Sequence, residues 1–198
     1  MNKICPTILN IAAGKFQPLD LENQRRFFLV NLDPMYYSYS TEELIEDHYG
    51  NHNVESTITH YCNSDAYEFM ERTKMIFDKI CIYRFLEHVP MDKVLYFIYL
   101  VSTITKKGSE IDVIVPNYNK LAVMLLGESV NRLTFEKENI LLTTELLNEP
   151  SCPHASIWTE QRVKYFWEME ERFKVKEIYP SFNFDGRNIY IRFKAVRL

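Results

Sequence analysis

Glycine is scarce in this chain, 5 in 198 residues, which excludes collagen-like repeats and glycine-rich linkers. Cysteine is as thin. Cys5, Cys62, Cys81 and Cys152 form no C-x-x-C pair, so neither a zinc ribbon nor a thioredoxin-like motif is available, and buried free thiols kept reduced are the expectation. No apolar run is long enough to span a membrane, and the amino terminus meets Asn10 before a signal-peptide core can build. A cytoplasmic protein without a membrane partner is the expectation. Positive charge is not in surplus either: 23 Lys and Arg against 27 Asp and Glu leave a formal net charge of -4. Nucleic acid is therefore an unsupported partner, although local basic patches keep it from being excluded.

What the sequence does have is core. Hydrophobic residues make up 46%, sufficient for a single domain over residues 1–198 with a sheet buried on both faces. Aromatics, at 14%, are mixed with aliphatics along the chain, which is the distribution of core and pocket lining and not of a base-stacking repeat.

Apolar stretches of strand length alternate with helical patterns. Ile8 to Ile11, Arg26 to Leu32, Val54 to Tyr61, Lys79 to Phe85 and Ile111 to Val115 have strand character, and turn-type residues such as Asp33-Pro34, Asn63-Ser64 and Pro116-Asn117 close them. Ser40-Thr41-Glu42-Glu43 has capping-box spacing for a helix through Leu44 and Ile45 that ends near Gly50. Tyr67 to Phe77 has mixed helical periodicity. Pro90 fits the first turn of a helix with Val94, Leu95, Ile98 and Val101 on one face and Lys106-Lys107-Gly108 as its stop. Leu121 to Leu126 reads as a short helix. Thr159 can cap a last helix carrying Val163, Phe166, Trp167 and Phe173, followed by a strand from Lys174 to Pro180, an Asp185-Gly186 turn and a strand from Ile189 to Val196. Trp158 and Trp167 read as core, and Lys106, Lys107, Arg187 and Arg192 as solvated charges. Strand and helix in alternation give a mostly parallel sheet, which binds ligands at the carboxyl ends of its strands.

Those ends carry the chemistry. Gly14 follows the first strand and Asp33 the second, the spacing at which a tight turn lets backbone approach a nucleotide and an acid accepts from ribose hydroxyls. Leu9-Asn10-Ile11-Ala12-Ala13-Gly14-Lys15-Phe16, Leu32-Asp33, Asn63-Ser64-Asp65-Ala66, Phe85-Leu86-Glu87-His88-Val89-Pro90 and Ile114-Val115-Pro116-Asn117 succeed one another along the chain. In that order they resemble the strand-end segments of the class I S-adenosylmethionine-dependent methyltransferases, and the resemblance covers nearly the whole chain. It implies an α/β, three-layer Rossmann-like methyltransferase fold, its mostly parallel sheet closed by a C-terminal antiparallel hairpin. It also implies S-adenosylmethionine as cofactor and S-adenosylhomocysteine as product, held by Asn10, Ala12 and Gly14 in the first loop, Asp33 at the ribose, and Asp65 and Ala66 at the adenine.

On the substrate side, Glu87 and His88 stand where the family has its Leu-Glu-His-Val motif. His88 is the candidate base for a hydroxyl nucleophile, with Glu87 its orienting partner and His154 expected in the same cleft. Other readings stand beside these: Asp33 as a turn residue before proline, Asp65 as a helix cap, and His88 as a hydrogen-bonded packing residue. Small-RNA 3′-terminal 2′-O-methyltransferases resemble the chain in a Glu-x-x-Glu-His cluster with a downstream His, which there binds a divalent metal. Here Arg84 takes the first Glu position, and since a guanidinium cannot ligate a metal, none is expected.

The first loop departs from the family pattern. Ala12 and Phe16 replace glycines, Asn10 replaces an acid, and Pro18 interrupts the following helix. The first strand also begins almost at once, which leaves no helical lid of the kind found over small substrates. Two functions from different classes follow: a methyltransferase for an unidentified, large, macromolecular acceptor, or a catalytically degenerate binding or structural subunit with a protein assembly partner. The compact chain suits a virus or phage genome.

Overall fold

The computed structural model describes residues 6–11, 26–32, 56–62, 65–126, 154–184 and 187–198. Its strands are β1 (Thr7–Ile11), β2 (Arg26–Leu32), β3 (Ser56–Cys62), β4 (Phe77–Tyr83), β5 (Thr105–Pro116), β6 (Phe173–Phe184) and β7 (Arg187–Arg197). Its helices are α1 (Ala66–Arg72), α2 (Val94–Thr103), α3 (Tyr118–Leu126) and α4 (Glu160–Glu168), with short 3-10 turns at Leu86–His88 and Met91–Lys93. All seven strands join one sheet in the order β3-β2-β1-β4-β5-β7-β6. β1 to β5 pair in parallel, whereas β7 runs antiparallel to both of its neighbours. This is the Rossmann-like methyltransferase arrangement, with the antiparallel hairpin at the carboxyl end as expected. Among the described residues, no helix is long and apolar enough to cross a membrane.

Alternation along the strands sorts the side chains onto two faces. Leu9, Ile11, Ile80, Ile82, Val113, Ile191 and Phe193 share one core with Ala66 and Met70 of α1, Phe97 and Val101 of α2, and Val163 and Trp167 of α4. The two tryptophans are core, as expected: Trp158 is 0% and Trp167 1% exposed. On the opposite face the register aligns Asn10 with Cys81, Cys81 with Asp112, and Asp112 with Lys194. Asn10, Cys81 and Asp112 are all buried there. Cys81 is a free thiol, and burial, with Asp112 and Glu110 adding to it against Lys79, pushes its pKa up to about 12. The other three cysteine side chains and the helix expected after Ser40 lie outside the described residues.

Four expectations are corrected. The helix after Asn63 stops at Arg72, because Thr73 turns extended and the Phe77 amide is drawn into the sheet by the Ile104 carbonyl at 2.8 Å. Helix α2 ends at Thr103, ahead of the lysines; the Ser102 and Thr103 hydroxyls turn back onto the Tyr99 and Leu100 carbonyls at 2.6 and 2.7 Å, a local competition that favours termination. Lys106-Lys107-Gly108 instead forms a bulge in β5, with Thr105 opposite Phe77 but Glu110 opposite Lys79, and Gly108 adopts a φ of 88° that disfavours any side chain there. Phe173 opens β6, although its ring still meets Trp167 at 5.3 Å. Finally, Arg192 is buried, with Nε 3.0 Å from Asp112 Oδ1 and Nη2 2.7 Å from Oδ2. Strand alternation places it on the same face as Cys81 and Asp112, itself buried, and Asp112 provides the partner that a buried cation requires.

Candidate active site

The register puts the carboxyl ends of three strands level: Ile11 lies opposite Leu32 on one side and Ile82 on the other. The strand order reverses at β1, so the carboxyl ends of β1 and β4 mark the topological switch point, the position at which such sheets bind ligands. Immediately after β4, Arg84 leaves the sheet with a φ of 55°, a backbone state costly for a residue with a side chain and concentrated at functional sites. Its amide is tied to the Ile114 carbonyl at 2.8 Å, and its guanidinium lies 5.6 Å from the Tyr190 ring centroid. The 3-10 turn Leu86–His88 follows directly.

Residues 154–158 are fastened onto that turn. The Glu87 carbonyl accepts from the Ala155 and Ser156 amides at 2.7 and 3.0 Å. The Ser156 hydroxyl donates to the Leu86 carbonyl at 2.7 Å and accepts from Trp158 Nε1 at 2.9 Å. The Trp158 carbonyl in turn accepts from the Tyr118 amide at 3.1 Å. Thr159 then caps α4, its hydroxyl accepting from the Arg162 amide at 3.3 Å.

This fastening brings Glu87, His88 and His154 into one cluster, in which one potential donor atom from each lies within 4.8 Å of the others. The His88 and His154 rings meet edge to face at 5.1 Å. Glu87 is 0% exposed, with Oε1 3.7 Å from Arg84 Nε. His154 Nδ1 is 2.6 Å from the Tyr118 hydroxyl, while among the described residues His154 Nε2 is buried without a hydrogen-bond partner. Burial, then the neighbouring His88 and Arg84, push the His154 pKa down to about 4, so its ring is neutral near pH 7. Two imidazoles and a carboxylate are also a set that can take up a divalent ion. Arg84 already supplies a positive charge beside that carboxylate.

The remaining expected residues fall as follows. Asn10 is buried near the end of β1. Asp65 is the N-cap of α1 and accepts from the Tyr67 and Glu68 amides at 2.9 and 3.2 Å, which satisfies the cap reading and leaves the residue at the strand-end side of the sheet. Ala66 is the buried first residue of that helix. Ala12, Gly14 and Asp33 lie outside the described residues. Tyr118 and Arg84 were not read as site residues. Arg84 had only its position beside the Glu-His pair to mark it, and Tyr118 had no signal, since its partner lies 36 residues further along.

No family model and no curated protein matches this sequence. Solved structures do. A SAM-dependent methyltransferase from Methanosarcina mazei is 15% identical with a TM-score of 0.59, over 98% of this chain and 93% of that protein. An O-methyltransferase family 2 protein from Planctomyces limnophilus, in complex with apigenin, is 11% identical with a TM-score of 0.63, over 100% of this chain and 52% of that one. The plantazolicin methyltransferase, in complex with a desmethyl analogue and SAH, is 13% identical with a TM-score of 0.56, over 96% of this chain and 76% of that one. The chain thus spans nearly all of the archaeal protein and about half of the Planctomyces one. At these identities the likeness is one of fold.

Proposed function

We propose that this protein is an S-adenosylmethionine-dependent methyltransferase that acts on an oxygen nucleophile of an unidentified, large acceptor. The observation that carries this reading is the convergence of Glu87, His88 and His154 at the carboxyl end of β4, beside the switch point of a methyltransferase-fold sheet. The cofactor fits the same edge: β1, β2 and β4 end level, and α1 begins beside them with Asp65 at its cap. Asn10, Ala12 and Gly14 after and within β1, Asp33 after β2, and Asp65 and Ala66 after β3 are the residues that would hold it. When bound, it supplies a methyl group on a sulfonium for in-line displacement.

The chain's own residues then divide the remaining work. His88 accepts the acceptor hydroxyl's proton as that oxygen becomes the nucleophile. Glu87, buried beside it, favours the imidazolium that results. The staple through Ala155 and Ser156 fixes the geometry of both, and orientation of this kind is a major part of a catalytic rate. Absence of the Asn-Pro-Pro-Tyr motif of amino-directed nucleic-acid enzymes favours oxygen over nitrogen as the target.

Calorimetric titration with S-adenosylmethionine and S-adenosylhomocysteine tests the reading. Saturable binding of both is the expected outcome. Binding of neither would overturn it in favour of a degenerate subunit that serves an assembly.

A further inference from the structure

His154 meets its surroundings through two ring nitrogens with different fates. Nδ1 lies 2.6 Å from the Tyr118 hydroxyl, and the rings of the two residues stand edge to face at 6.2 Å. Nε2 is buried and, among the described residues, without a hydrogen-bond partner. With Nδ1 engaged, the ring can address Glu87, His88 or a bound acceptor only through Nε2. Tyr118 is itself well placed to hold the ring. As the first residue of α3 its amide is tied to the Trp158 carbonyl at 3.1 Å, and Asn117 just before it bonds the Lys120 amide and the Pro180 carbonyl at 3.3 and 2.6 Å.

We propose that Tyr118 is a positioning residue whose hydroxyl donates to His154 Nδ1, so that His154 presents an Nε2–H to the cleft and serves as hydrogen-bond donor to the acceptor's oxygen. The opposite tautomer would point a lone pair into a cluster that already contains the Glu87 carboxylate, an unfavourable meeting of two acceptors. The donor tautomer gives the two histidines separate tasks: His88 takes the hydroxyl proton, while His154 fixes the direction of that oxygen's lone pairs. Among the described residues, the titratable and charged groups around His154 are Arg84, Glu87, His88 and Tyr118. Burial of the ring, then the neighbouring His88 and Arg84, oppose a second proton on it, which keeps the donor pattern intact at neutral pH. In this tautomer Nε2 has no lone pair to offer, so a metal could bind His154 there only by displacing that proton.

The assignment of His154 to the acceptor rests on the reading of the cleft as a methyl-transfer site, but the tautomer can be measured without any acceptor. Nitrogen-15 NMR of the full chain labelled at histidine, with His154→Gln to assign the signals, reads both ring nitrogens. Nε2 is expected to carry the proton and Nδ1 to be the acceptor, with no change between about pH 5 and 8, where an unperturbed histidine titrates. In Tyr118→Phe the ring should shift to a mixture of tautomers and begin to protonate at higher pH. A wild-type Nδ1–H tautomer would overturn the proposal, and so would a Tyr118→Phe spectrum unchanged in a folded protein. Displacement of the Nε2 proton by added Zn2+ or Mg2+ would overturn it as well. If Tyr118→Phe does not fold, the wild-type tautomer alone decides. Failure to bind S-adenosylhomocysteine would sink the methyltransferase reading while leaving the tautomer result in place, so the two failures are distinct.

Discussion

Arg192 on β7 grips Asp112 on β5 with both arms of its guanidinium, at 3.0 and 2.7 Å, and both side chains are buried. Tyr83 donates to the same carboxylate at 3.0 Å and Lys79 Nζ stands 3.6 Å away. Lys79 also meets Glu110 at 3.0 Å. Burial lowers the basicity of Lys79, but the charges around it outweigh that and hold its pKa above the ordinary lysine value. One carboxylate thus serves two cations, and the outermost antiparallel strands are joined to the parallel ones by charge as well as by backbone.

Asp112→Asn should therefore leave Arg192 inside the protein without its counter-charge and Lys79 with Glu110 as its remaining one. The expected loss is about 3–5 kcal/mol of unfolding free energy, the cost of breaking a buried ion pair from one side. Urea denaturation measures it. The double replacement Asp112→Leu with Arg192→Met should lose less than the single one. A single variant as stable as the parent would show that the pair is not what secures β7.

On the cofactor side, Asp33→Ala should weaken S-adenosylhomocysteine by about 1.5–3 kcal/mol, roughly ten- to a hundredfold, the range for hydrogen bonds to a charged group. Thermal melting should be little changed. Calorimetry reads the affinity, and an unaltered dissociation constant would take Asp33 out of the site.

His88→Ala should lower turnover by about 10²–10⁴, the usual share of a positioned general base. Affinity for S-adenosylhomocysteine should stay near that of the parent. Parallel loss of both would assign His88 to cofactor binding or to packing instead.

Much of this was legible in the sequence for a physical reason. Buried parallel strands such as Ile111 to Val115 are apolar on both faces, so they stand out as runs, and the level strand ends follow from the runs. Thr159 as a cap was readable from local rules, whereas the turn expected at Asp185-Gly186 lies outside the described residues. Arg192 was not, because its burial is decided by Asp112, 80 residues away. The β5 bulge was hidden likewise: Lys106-Lys107-Gly108 has the composition of a helix stop, and only the pairing of Phe77 with Thr105 reveals that the strand has already begun. At the site, Glu87 and His88 were marked by their motif, whereas Tyr118 had meaning only once His154 was in place.

The depressed pKa of His154 makes a pH prediction whose sign is fixed. The folded ring resists protonation down to about pH 4, while the unfolded ring titrates near its ordinary value of about 6.5. Between these limits the unfolded state binds more protons, so stability falls as pH drops from about 6.5 toward 4. Denaturation midpoints across that window should fall less steeply in His154→Gln. An equal slope in both proteins would mean that His154 is not shielded as described.

Chelation should leave thermal stability unchanged, since Arg84 already supplies positive charge at Glu87. Differential scanning fluorimetry with and without EDTA is sufficient. A fall in the midpoint restored by one equivalent of a divalent ion would show that the three donor groups hold a resident metal.

The staple that carries Ala155 and Ser156 onto Glu87 has a consequence for how the molecule comes apart. It joins stretches such as Leu86 and Ser156 that are 70 positions distant along the chain, and a few hydrogen bonds hold it where a continuous ladder holds the sheet. A joint of this kind can open locally, and its opening need not disturb the strands. The Ala155 and Ser156 amides should therefore exchange with solvent by local opening, well before those of Ile80 or Val113. On warming, the protein would part with its reactive cluster while the sheet remained whole.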